Sequence, residues 1–177
     1  IVGGLSPHLP EGLDFRREAD NARRAAAHFA TWPQVHVPRV VESLSTARVL
    51  TMEWIDGVRL DDRAGLASRR LRRGAFATLL SSTFAAMIFE HGFLHCDPHP
   101  GNLLARRCPE SGLFQLVLLD HGLCREPPPA FRAHYARLWC ALLGGDAAAG
   151  RAAARGLGVR DEDYEALSLL LVFRSAD

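Results

Sequence analysis

The spacing of apolar and polar positions changes several times along the chain, and each change predicts an element. Phe15, Ala19, Ala22, Ala25, Ala26 and Phe29 recur at helical spacing, which predicts an amphipathic helix from about Phe15 to Ala30 with Asp14 as its N-cap. Residues 35–43 and 47–55 are two β-rich runs around a short polar turn, the pattern of a hairpin. Asp56-Gly57 is a turn, residues 59–66 a short helix, and Arg69 to His91 a long helix that Gly92 would cap. A loop broken by Pro and Gly comes next. Strands are expected near 102–106 and 114–120, then helices over 130–144, 145–156 and 160–173, the first started by Pro127-Pro128-Pro129. The pattern is that of an α+β chain with more helix than sheet.

Composition narrows the picture. A net charge of +1 over 177 residues gives no field that would draw nucleic acid. All 21 basic residues are Arg. A GC-biased codon usage, consistent with the abundant Ala and Gly, is one account of this, but the chemical consequence stands: no amine side chain is available. The stretch from Gly74 to Phe89 carries no charge, yet it is short for a bilayer and interrupted by Ser81, Ser82 and Thr83, so a core helix is expected and no transmembrane span. Four Cys form no C-x-x-C pair and read as a reduced set, with Cys96 as a small buried filler. His95 and His99 flank Asp97, where they would orient the backbone or the acid; a zinc site would need two further ligands.

The chemistry concentrates in two strings. Leu94-His95-Cys96-Asp97-Pro98-His99-Pro100-Gly101-Asn102-Leu103-Leu104 runs from a polar loop into an apolar strand. Leu116-Val117-Leu118-Leu119-Asp120-His121-Gly122 is an apolar strand that ends on an acid and a turn. An Asp-x4-Asn loop followed by a strand-terminal Asp-x-Gly holds the metal–triphosphate in protein-kinase-type enzymes. Mg²⁺ takes a few hard oxygens from protein and shares its remaining positions with phosphate and water. An Asn amide oxygen and an Asp carboxylate on facing strand ends would supply two, leaving the other Asp to orient a nucleophile or touch a second metal. The plainer alternative is a β-hairpin whose acids cap turns, with Asp97 a turn starter before Pro98.

His95-Cys96-Asp97-Pro98-His99-Pro100-Gly101-Asn102 closely resembles the catalytic loop of the UbiB/aarF-domain family of atypical kinases, and Asp120-His121-Gly122 resembles that family's counterpart of Asp-Phe-Gly in its Asp-His-Gly subgroup. Upstream, Leu13 to Ala22 is similar to the family's Glu-x-Asp segment and helix C, although Gly12 stands where the first Glu is usual. Val37-Pro38-Arg39-Val40 and Arg48 to Gly57 resemble the next strands and the hinge.

The resemblance implies a protein-kinase-like fold, mainly the helical C-terminal lobe with helix C, a hinge hairpin and small β-hairpins at the cleft. Residues 1–144 would be a partial kinase domain and 145–177 a helical extension of it. It implies ATP and Mg²⁺ as cofactors, Asp97 as the catalytic-loop acid, Asn102 and Asp120 as metal ligands, and Glu18 as the helix C partner of a Lys outside this chain. Met52 and Trp54 would sit at the adenine hinge; Trp54 could equally pack in the core, and Glu18 could be a surface acid. Partners would include lipid- or quinone-pathway proteins and a membrane surface, in mitochondria or plastids. The chain is expected to be a fragment or truncated gene product, inactive alone, with the helix face around Ala22, Ala26 and Phe29 left bare. A nucleotide-binding pseudokinase and an aminoglycoside-phosphotransferase-like kinase are the rival readings.

Overall fold

The computed structural model describes residues 14–71 and 73–172, and the Gly12 departure lies outside them. Two compact units divide between Arg125 and Glu126. The boundary expected at 144/145 falls inside the second unit, between two helices that share one core.

The first unit opens with helix α1 (Phe15–His28), capped by the Asp14 carboxylate accepting from the Arg16 N–H. Its predicted period holds, and Ala19, Ala22 and Ala25 form the buried face. Phe29, just past its end, is buried as well. The expectation of a bare face is therefore wrong for Ala22 and Phe29, which this chain's own core covers; of the three residues named, Ala26 is exposed. The small alanines let α1 approach closely, and the larger side chains of Phe76, Met87, Phe93 and Leu116 fill the same core.

Strand β1 (Val35–His36) pairs parallel with β5 (Phe114–Leu118), which pairs antiparallel with β4 (Leu103–Arg107), which pairs antiparallel with β2 (Val58–Arg59). The expected hairpin of residues 35–55 is a sparse one. Its arms are joined by the bridges Val40–Met52 and Thr46–Val49 and by side-chain bonds, without a continuous ladder. Pro38 has no N–H to give a ladder, and the Ser45 hydroxyl accepts from the Thr51 N–H in place of a strand partner. The short helix expected over 59–66 is displaced by β2 and forms as α2 (Arg63–Ser68), where Asp62 accepts from the Gly65 N–H. Gly65 leaves room for that cap, since a Cβ there would meet the Asp62 carboxylate and Val58 within 2.9 Å.

The long helix is α3 (Arg73–Ala85), continued by a π-helical turn (Ala86–His91) and closed at Gly92, whose φ of 61° is the left-handed cap expected. Beyond it, β3 (Leu94–His95) pairs with β6 (Cys124–Arg125). The second unit holds α4 (Pro129–Gly144), α5 (Ala147–Gly156) and α6 (Tyr164–Val172), with Leu138, Ala153, Ala154 and Tyr164 as its core. Gly150 is seated against Tyr164 so closely that a Cβ would lie 2.1 Å from the phenol oxygen.

Candidate active site

The β4–β5 hairpin brings the two strings together. Its antiparallel register sets Leu103 opposite Leu118, so the residue before β4 and the residues just after β5 arrive at one end of the sheet. Asn102 and Asp120 are thereby placed side by side. The Leu119 N–H donates to the Asn102 carbonyl at 2.8 Å and extends the ladder one step past the strands. Asp97 reaches the same end through its loop. The Asn102 side-chain nitrogen donates to the Asp97 carbonyl and to Asp97 Oδ2, both at 3.3 Å. An amide turned this way presents its oxygen on the other side, free for a cation.

Asp120 sits at a backbone φ of 52°. This region costs a non-glycine residue about 1–3 kcal/mol and persists only where its surroundings hold it. The Gly122 N–H donates to Asp120 Oδ1 at 3.2 Å, which fixes the exposed carboxylate at the tip of the turn. A side chain at Gly122 would come within 3.3 Å of Asp120 Oδ1 and 3.6 Å of Glu18 Oε2, so glycine keeps the space beside both acids open. Glu18 accepts a hydrogen bond from the His121 backbone. Burial first, then the charge of Asp120, raise its carboxyl above the usual range. Two carboxylates facing one gap are a standing invitation to a cation.

Two buried imidazoles hold this end from beneath. His95 Nε2 donates to the Leu119 carbonyl at 2.8 Å while its Nδ1 accepts from the Asp97 N–H at 3.2 Å, so one ring joins the backbones beside both acids. His121 lies edge-on to it, ring centroids 5.4 Å apart. Burial, with a smaller contribution from His95, pushes the His121 pKa down to about 3, which keeps the ring neutral. His99 turns its Nδ1 to the Gly101 N–H at 3.1 Å. Cys96, expected as a buried filler, is exposed; it comes directly after β3 in a two-stranded ribbon with one face open.

The hinge residues behave differently. Met52 is half-buried and bridges Val40, while Trp54 is 88% exposed, which excludes core packing for its ring. Between them the Glu53 carboxylate turns away from the acids and takes His36 Nε2 at 3.0 Å, the Arg39 N–H at 3.2 Å and Arg106 Nη1 at 3.5 Å. Burial works to raise its pKa, but these donors outweigh it and hold the carboxyl below its usual range. Arg106, itself buried, donates through Nε to Gln115, which donates to the Pro33 carbonyl.

Of the residues singled out in the sequence, Asp97, Asn102, Asp120 and Glu18 converge, and Met52 and Trp54 lie on the 35–55 hairpin. Not expected from the sequence were Asn21, whose side-chain nitrogen donates to the His121 carbonyl at 2.8 Å, and the Glu53–Arg106–Gln115 network. Asn21 stands three residues after Glu18 on α1, which was the available signal. Among the described residues no three of His, Cys, Asp and Glu gather as a metal cage, and no helix is long and apolar enough to cross a membrane.

Comparison with known proteins bears on what this arrangement is. Residues 1–153 match the ABC1 atypical kinase-like domain. The chain belongs to this family. It is 39% identical to the AarF domain-containing protein kinase 1 of Gallus gallus over 99% of its own length and 34% of that protein. It is 43% identical to the probable serine/threonine-protein kinase abkB of Dictyostelium discoideum over 89% of its length and 24% of that protein. The chain thus spans about a third or less of these ABC1 relatives. Among solved structures it resembles the Mycobacterium tuberculosis protein Rv3197, determined with erythromycin, at a TM-score of 0.55 and 24% identity, covering 81% of this chain and 35% of the other. That likeness shows a kinase-like fold, consistent with the helices and small sheets of the ABC1 domain here.

Proposed function

We propose that this end of the β4–β5 hairpin binds ATP with Mg²⁺ and carries out phosphoryl transfer or ATP hydrolysis. The observation that carries the reading is the convergence of Asn102 and Asp120 at one strand end with Asp97 bonded to the Asn102 amide. The donor set fits the metal. Mg²⁺ is commonly held by one or two protein oxygens together with phosphates and water, so two ligands and no cage are what the chemistry requires.

Asn102 through its amide oxygen and Asp120 through its carboxylate would hold the ion. When bound, it neutralises phosphate charge and orients the transferred group. Asp97 would orient or deprotonate the acceptor hydroxyl or water, and its bond to Asn102 keeps it beside the metal position without being a ligand. Glu18 would pair with a lysine on the α- and β-phosphates. This chain has none, so that amine would come from sequence beyond these 177 residues. The backbone between Met52 and Trp54 would receive the adenine, with Trp54 at its outer rim.

By family likeness the acceptor would be a small or lipid-linked molecule and the activity would serve quinone or lipid homeostasis at a membrane of mitochondria or plastids. The test is thermal stabilisation of the natural protein by Mg-ATP. Asp120→Asn should abolish it, because the amide supplies no charge; an undiminished shift in that variant would refute the assignment.

A further inference from the structure

The structure assigns Asn21 as a positioning residue that, with Glu18, clamps the Asp120-His121-Gly122 turn and so aims the Asp120 carboxylate; this rests on the functional reading above and names how its metal ligand is held.

The strain at Asp120 requires such a clamp. A left-handed backbone at a non-glycine residue is held only by bonds made elsewhere. The next residue supplies them. His121 gives its N–H to the Glu18 carboxylate and receives at its carbonyl the Asn21 amide, at 2.8 Å. Both polar groups of one peptide residue are thus taken by one face of α1, since residues three apart on a helix point the same way.

The two side chains divide the work by chemical type. A carbonyl needs a donor, which Asn has and Asp lacks; an N–H needs an acceptor, which Glu supplies. The His121 ring, 2% exposed and edge-on to His95, anchors the same residue in the core. Any movement of α1 relative to the sheet is therefore passed to the turn through the Asn21 bond and the Glu18 contact. Asn21 touches neither acid at the metal position, so its influence runs through the backbone of His121.

The experiment compares the natural protein with Asn21→Leu, which keeps the size but not the donor, and Asn21→Gln, which keeps the donor. Hydrogen exchange without metal or nucleotide reads the turn, and a Mg²⁺ titration at saturating ATP reads its aim. In Asn21→Leu the amides of residues 121–124 should exchange about tenfold faster while those of α4 do not change. The Mg²⁺ half-saturation should rise about tenfold with metal-free ATP affinity within about twofold, and Asn21→Gln should recover part of both. Unchanged exchange would overturn the clamp. Faster exchange with an unchanged Mg²⁺ requirement would overturn its role in aiming Asp120. A wild-type protein that shows no Mg-ATP response refutes the functional reading and with it the aiming role, while the exchange data still decide the clamp.

Discussion

The end of the β4–β5 hairpin proposed as catalytic and the 35–55 hairpin proposed as the hinge are held in opposite ways. At the proposed catalytic end the candidate side chains are tied to backbone or to one another: Asn102 to Asp97, His95 to both acids' neighbours, Glu18 and Asn21 to His121. At the hinge the side chains that lie on the path of the chain, Met52 and Trp54, carry little of the structure. The neighbour between them, Glu53, is tied to His36, Arg39 and Arg106 and fixes the backbone. The contrast suits the proposed roles: placing oxygens about a metal specifies side chains, and offering backbone groups to a ring specifies only where the backbone runs.

The largest effect expected from this contrast is on rate. Asp97→Asn in the natural protein should lower turnover by about 10²–10⁴-fold with ATP affinity nearly unchanged, as measured by steady-state kinetics beside direct binding. If affinity collapses while turnover per bound ATP persists, Asp97 serves the metal or the fold.

At the hinge the larger cost should fall on stability. Arg106→Leu strips the buried partner from Glu53 and Gln115 while His36 and the Arg39 N–H remain, so about 2–3 kcal/mol is expected in denaturant unfolding. Nucleotide affinity should weaken along with it if the network places the hinge backbone. A stable variant with normal affinity would show the brace to be decorative.

Much of this was legible in the sequence, and the reason differs by region. The two acids and Asn102 stood out because an Asp-x4-Asn loop and a strand-terminal Asp-x-Gly restrict residue type and spacing together. Helix α1 could be read from its apolar period, α3 from a long uncharged run closed by Gly92, and α4 from the prolines that start it. Strand β2 could not, because two residues show no period, and the residues after it resemble a helix start. Arg106 and Gln115 were hidden by their own type: a charged and an amide side chain on a short strand suggest solvent, and only the β4–β5 register turns both inward to each other. Cys96 was misjudged for the converse reason, as small residues are usually buried but a two-stranded ribbon leaves a face open.

Acid stability probes the end of the β4–β5 hairpin through His121. His121 is held neutral with a pKa of about 3 against 6.5 for a free imidazole. The unfolded chain therefore takes up a proton that the folded chain refuses. This contribution to stability is complete above about pH 6.5 and is lost as the pH falls from there towards 3, at up to about 1.4 kcal/mol per unit. In EDTA, His121→Phe should flatten the acid limb of the stability curve by up to one proton. An unchanged slope would mean that the ring is solvated when folded.

The smallest effect should come from the most conspicuous hinge side chain. Trp54→Ala removes a ring that is 88% exposed, so stability should move by less than about 0.5 kcal/mol and ATP affinity by less than about twofold. A tenfold loss of affinity would place the indole on the nucleotide after all.

The central claim is a location for the metal, and it can be mapped directly. With Fe²⁺ substituted for Mg²⁺ in the ATP complex of the natural protein, ascorbate and peroxide generate radicals that cut the backbone beside the ion. Cuts should cluster at residues 101–103 and 119–122, require ATP, and disappear in Asp120→Asn. ATP-dependent cuts that spare both segments would contradict the account.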